Sequence, residues 1–118
     1  MPLRHGDAAN AAGRIFEVKA HTYAANLRHE HEWRVWQNAK IPLGKMLMPG
    51  VVSHATNLLE HPTLVADRIL RYAAIVGRES VIAGMDCGLG GRVHADLVWA
   101  KLRTLVEGAR GASTSLWP

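Results

Sequence analysis

At 118 residues the chain is the size of one compact domain, with 48% apolar and 20% charged residues, a balance that is ordinary for a globular protein. No apolar stretch approaches the roughly 18 residues of a membrane span, and Met1–Asp7 holds no apolar signal core, so the expectation is a cytoplasmic protein without a membrane partner. The formal charge is +4, but the basic residues are interleaved with acids (Asp67-Arg68, Arg78-Glu79, Glu107 near Arg110) and no basic–aromatic run is present, which argues against nucleic acid as a partner.

Residues 1–14 lack a clear period and read as a poorly ordered lead-in to a domain spanning 15–118. Phe16–Tyr23 alternates apolar and polar residues as a strand does. Arg28–Trp36 is dense in charge and aromatic surface and reads as a short helix or an ordered loop. After the Pro42-Leu43-Gly44 turn, Met46–Val52 is an apolar run of strand length, in which Pro49 interrupts the pairing.

Ser53–Asn57 then forms a polar loop at that strand's carboxyl end. The clearest helix begins at Pro62, after His61, and closes at Gly77 with a left-handed cap. Val65, Ile69, Ala73 and Val76 form its inner face, while Asp67, Arg68 and Arg71 belong to solvent. Val81–Gly84 is the next strand. A last helix covers about Ala95 to Ala112, with Val98, Leu102, Leu105, Val106 and Ala109 as the buried stripe; Gly108 and Gly111 weaken its end, and Ser113–Pro118 reads as a frayed tail from which Trp117 can pack back. This alternation of strands and helices predicts an α/β fold with parallel strands.

The lone cysteine, Cys87, stands in Met85-Asp86-Cys87-Gly88, directly after the Val81–Gly84 strand. One cysteine excludes an internal disulfide and suits a reducing compartment. In parallel α/β folds the carboxyl ends of strands are where catalytic groups gather. By composition alone the simpler reading of Cys87 is a small buried residue at a tight turn.

Four blocks carry a resemblance. They are Ala24-Ala25-Asn26-Leu27-Arg28-His29-Glu30-His31-Glu32-Trp33, Met48-Pro49-Gly50-Val51-Val52-Ser53-His54-Ala55-Thr56-Asn57, Glu60-His61-Pro62 and Ala83-Gly84-Met85-Asp86-Cys87-Gly88. In this order, from about Phe16 onward, the chain resembles the carboxyl-terminal part of the cobalamin-independent methionine synthase family. The resemblance implies the last three βα units of a (β/α)8 barrel of the TIM type, here an incomplete barrel.

The family moves a methyl group from 5-methyltetrahydrofolate to homocysteine or another thiol, in methionine biosynthesis, using zinc. The resemblance therefore implies a thiol and a folate methyl donor as the chain's ligands. It places a zinc-ligating cysteine on Cys87 and a proton-donating histidine on His54. Zinc favours the thiolate form of an acceptor thiol, and a histidine titrates in the range useful for protonating a leaving nitrogen. The sequence departs from the family at two matched positions: Tyr23 stands where a glutamate ligand is usual, and Leu27 where a proline is usual. The family's His-x-Cys ligand pair comes from an earlier strand and has no counterpart here. A chain with one of four ligands is also compatible with a catalytically incomplete module that self-associates through exposed sheet edges.

Other patterns carry less. His29 and His31 share the spacing of a metal pair on a strand but point apart on a helix. The run Gly88-Leu89-Gly90-Gly91-Arg92 lacks the spacing and lysine of a phosphate loop. His61 and His94 fall at helix starts, where capping is the simpler role.

Overall fold

A computed structural model describes residues 15–16, 30–41, 44–54, 56–85 and 94–118. In chain order these form β1 (Ile15–Phe16), a 3-10 turn (Glu30–Arg34) that runs into α1 (Val35–Asn38), β2 (Met46–Leu47), β3 (Gly50–Val52), α2 (Pro62–Val76), a 3-10 turn (Arg78–Ser80), β4 (Gly84–Met85) and α3 (Ala95–Leu116).

The expected α/β character and parallel pairing are both present. β1 pairs in parallel with β2 (Ile15 with Met46, Phe16 with Leu47), and β3 pairs in parallel with β4 (Gly50 with Gly84, Val52 with Met85). Leu47 also bridges Val81, and its carbonyl accepts from the Ile82 N–H at 2.8 Å. β2 and β3 are thus two halves of one apolar run, interrupted at Met48-Pro49, where proline has no donor for the ladder. The described strand segments lie in their sequence order: β1, then β2 and β3, then Val81 and β4. The register slips between Gly50 and Val52, an irregularity of the kind that bends a strand just before its carboxyl end.

The last strand begins later than its composition implies. Val81 makes only the isolated bridge, and the paired residues are Gly84 and Met85. Phe16–Tyr23 is seen as a strand only at its start; residues 17–29, including Tyr23, lie outside the described residues.

α2 begins at Pro62 as its sequence requires, and the His61 ring accepts from the Thr63 N–H through Nδ1 at 3.0 Å. Gly77 ends it with φ 98° and ψ 142°, a positive φ that favours glycine but lies outside the left-handed helical region expected of its cap. Val65, Ile69 and Ala73 are buried, with Val51, Val52 and Ala112 completing the main core around Val65 and Ile69. A second cluster centres on Leu47 and Tyr72, with Trp33, Trp36 and Ile41 packed against it.

Arg68 overturns its assignment to solvent. It is 6% exposed; its Nε pairs with Glu30 Oε1 at 3.2 Å and its Nη1 donates to the Val51 carbonyl at 3.1 Å. The guanidinium is long enough to leave the α2 surface between Val65 and Tyr72 and bond both a strand carbonyl and the turn before α1.

α3 departs furthest from its sequence pattern. Leu105 and Ala109 pack against the core as expected, but Leu102 and Val106 are exposed, and the buried line is Lys101, Thr104, Gly108 and Ala112. Gly108 allows a close approach to α2: a Cβ there would stand 2.5 Å from the Val65 Cβ. The helix continues through Ser113 to Leu116, so this part of the tail is helical rather than frayed. Trp117 lies under the Arg78 guanidinium at 3.8 Å from its ring centre, and Arg78 also donates to the Leu116 carbonyl.

Candidate functional site

His54 follows β3 after one intervening residue and is 8% exposed. β4 runs parallel beside β3, and its last described residue, Met85, precedes Asp86-Cys87 in the sequence. Cys87 itself lies outside the described residues, as do His29 and Tyr23. The parallel pairing therefore gives the two sequence-predicted site residues neighbouring strands of origin, and only His54 has a described position.

What holds the His54 segment is a polar cluster that sequence reasoning missed. The Ser53 N–H donates to Glu60 Oε2 at 2.7 Å, closing the Ser53–Glu60 segment at its neck. Lys101 Nζ donates to Glu60 Oε1 at 2.7 Å and to the Leu58 carbonyl at 2.9 Å. Thr104 Oγ1 donates to the Glu60 carbonyl at 2.7 Å. The Lys101 side chain is 0% exposed and that of Glu60 7%. Burying an ion pair this completely is tolerable only because each end is also hydrogen-bonded, as both are here.

The signal for this cluster was faint. Lys101 and Thr104 lie one helical turn apart in α3, with Gly108 and Ala112 continuing the same line. A line of lysine, threonine, glycine and alanine looks like the outer side of a helix unless the partner for each is known.

Among the described residues no group of three or more His, Cys, Asp or Glu side chains is placed to hold a metal ion. His31 is exposed on the 3-10 turn that precedes α1. His61 and His94 are helix caps, the latter accepting from the Asp96 N–H through Nδ1 at 3.1 Å. The sequence itself contains one cysteine, with Tyr23 at the position of an expected carboxylate. A catalytic zinc needs about three protein ligands, and the described residues do not assemble such a set. An open groove of about 250 Å³ lies between Leu59–Pro62 and the Ala100–Glu107 part of α3; its lining includes neither His54 nor any strand residue. Among the described residues no helix is long and apolar enough to cross a membrane.

No family model and no curated protein matches the chain. Among solved structures it is similar to a B12-independent methionine synthase from Shewanella sp. W3-18-1, whose structure is in complex with selenomethionine. The TM-score is 0.58 at 18% sequence identity, over 96% of this chain. The chain spans only 36% of that protein's length. At this identity the likeness is one of fold: a parallel α/β segment that also occurs within a methionine synthase.

Proposed function

We propose that the chain is the closing segment of a methyltransferase-type (β/α)8 barrel, made of three βα units and related to the cobalamin-independent methionine synthases. In this reading it takes part in moving a methyl group from 5-methyltetrahydrofolate, or a related donor, to homocysteine or another thiol. The observation that carries it is the placement of His54 beyond β3, with the strand leading to Cys87 paired in parallel alongside. Sequential, parallel strand order is that of a barrel arc, and barrel chemistry sits at the carboxyl ends of the strands.

Within that reading, His54 holds the proton that the departing folate nitrogen needs. Cys87 offers one thiolate to a zinc ion, whose role is to keep the acceptor thiol ionised when it is bound. The other ligands have to come from outside this chain, so it is not assigned turnover on its own. Cobalt(II) tests the Cys87 assignment directly, because a thiolate ligand gives it an intense near-ultraviolet charge-transfer band. With cobalt in large excess over the full chain a weak band of this kind is expected, Cys87→Ala to abolish it, and Tyr23→Glu, which restores a second ligand type, to strengthen it. No band, or one that survives Cys87→Ala, sinks the assignment; a surviving band would instead direct attention to His29 and His31.

A second reading is favoured by a different observation. Trp99 is 68% exposed and Val106 50% exposed on one side of α3. A non-catalytic module that packs against another copy of itself accounts for such a surface and for the incomplete ligand set. It predicts self-association by sedimentation without any cobalt band.

A further inference from the structure

The cluster around Glu60 has a cost that packing does not explain. Lys101 occupies a wholly buried position on α3, where an apolar side chain of similar volume would serve stability as well. The ionic arrangement provides a fixed geometry instead. Glu60 uses one carboxylate oxygen for the Ser53 N–H and the other for Lys101, so both ends of the Ser53–Glu60 segment are held by one group. Lys101 adds a bond to Leu58 O within that segment, and Thr104 fixes the Glu60 backbone. Between these ties Asn57, Leu58 and Leu59 are exposed, and the Leu58 N–H donates to Thr56 Oγ1 at 3.1 Å. An exposed segment opens more easily than a core element, so a tie at its neck bears on where its residues stand.

We infer that Glu60 and Lys101 are positioning residues for His54, with α3 clamping the loop of the neighbouring βα unit. The inference rests on reading His54 as the proton donor. It adds that the helix following the Asp86-Cys87 segment sets where the histidine of the preceding unit stands. The segment after β3 is thereby tied to α3 through one side chain, Lys101.

Amide exchange of the full 15N-labelled chain, followed at low urea concentrations, tests it. The paired replacement Glu60→Met with Lys101→Met removes the clamp without stranding either charge. In that variant the Ser53 and His54 amides are expected to exchange roughly tenfold faster, relative to the Val65–Ala73 amides of α2, through an opening insensitive to urea. The His54 ring signals are expected to move while those of His61 and His94 stay. Glu60→Gln with Lys101→Met, which keeps an acceptor for the Ser53 N–H, is expected to restore protection at Ser53.

The inference is overturned if Ser53 and His54 exchange only together with α2, with the same urea dependence. That result would make the pair a piece of general structure. It is equally overturned if the glutamine variant rescues nothing. These readouts require neither metal nor methyl transfer, so a failed cobalt titration removes the assigned chemistry and leaves the clamp standing, and the reverse also holds.

Discussion

α2 and α3 start alike and end up differently. Each opens on a histidine whose Nδ1 caps the first turn, and each has apolar residues at helical spacing. In α2 the apolar line is the buried one: Val65, Ile69, Tyr72 and Ala73 meet the strands and the aromatic cluster. In α3 the buried line is Lys101, Thr104, Gly108 and Ala112, and Trp99, Leu102 and Val106 are left outside. The difference lies in what each helix faces. α2 covers strand side chains, which are satisfied by apolar area. α3 faces the backbone of the Ser53–Glu60 segment and the first half of α2, where polar partners and a close approach are required. Burial on a helix is therefore decided by its neighbour as much as by its own pattern.

The largest test of this contrast is Lys101→Met alone. It leaves the Glu60 carboxylate buried without its cation, and losing one partner of such a pair costs about 3–5 kcal/mol. Urea unfolding of the full chain is expected to show a loss of that order. A loss below ~1 kcal/mol would mean that the polar line of α3 is not buried in solution.

Gly108→Ala probes the close approach and is expected to have a smaller effect. Overpacking of this kind costs typically about 1–3 kcal/mol, against a gain of about 1 kcal/mol in helix propensity. The new Cβ would meet Val65 Cγ1 at 2.5 Å, whereas at Gly111 the nearest atom, Ala66 Cβ, is 3.7 Å away. Gly108→Ala should therefore destabilise the chain by up to about 2 kcal/mol and Gly111→Ala should not. Adding Val65→Ala to Gly108→Ala should recover part of the loss, as a double-mutant cycle would reveal. Equal effects at both glycines would contradict the assigned face.

These cases separate what the sequence makes legible from what it does not. The two ends of α2 were readable because Pro62 and Gly77 are local signals whose physics does not depend on distant residues. Pro49 announced the break between β2 and β3 for the same reason. Arg68 was misread because its burial depends on Glu30 and the Val51 carbonyl, partners far away in the chain. Lys101 is the same case, since nothing near it in sequence signals Glu60 or Leu58 O. The length of α3 beyond Gly108 was underestimated because helix propensity counts the cost of glycine and omits its benefit at a contact. Of the candidate site, His54 entered through a family resemblance rather than through spacing, while the side chains that hold its loop were invisible to both.

The smallest expected effect on stability concerns the outer face of α3. Trp99, Leu102 and Val106 recur at spacings of three and four, so they share one side of the helix, opposite in role to the Lys101 line. Substituting exposed residues away from buried networks changes stability by only about ±0.5 kcal/mol, so Trp99→Ser with Val106→Ser should leave the urea midpoint nearly unchanged. Its effect on association separates the two functional readings. If the chain works by packing against a second copy through this face, the same pair of changes should abolish concentration-dependent sedimentation. If association persists, α3 is not its surface, and the exposed stripe is only what remains when a helix spends its inner face on a clamp and a close contact. Serine replacement at Leu64, which is 39% exposed on α2, is the matched control. An equal loss of association there would show that the contact is nonspecific and that α2 and α3 do not differ on their outer sides as they do on their inner ones.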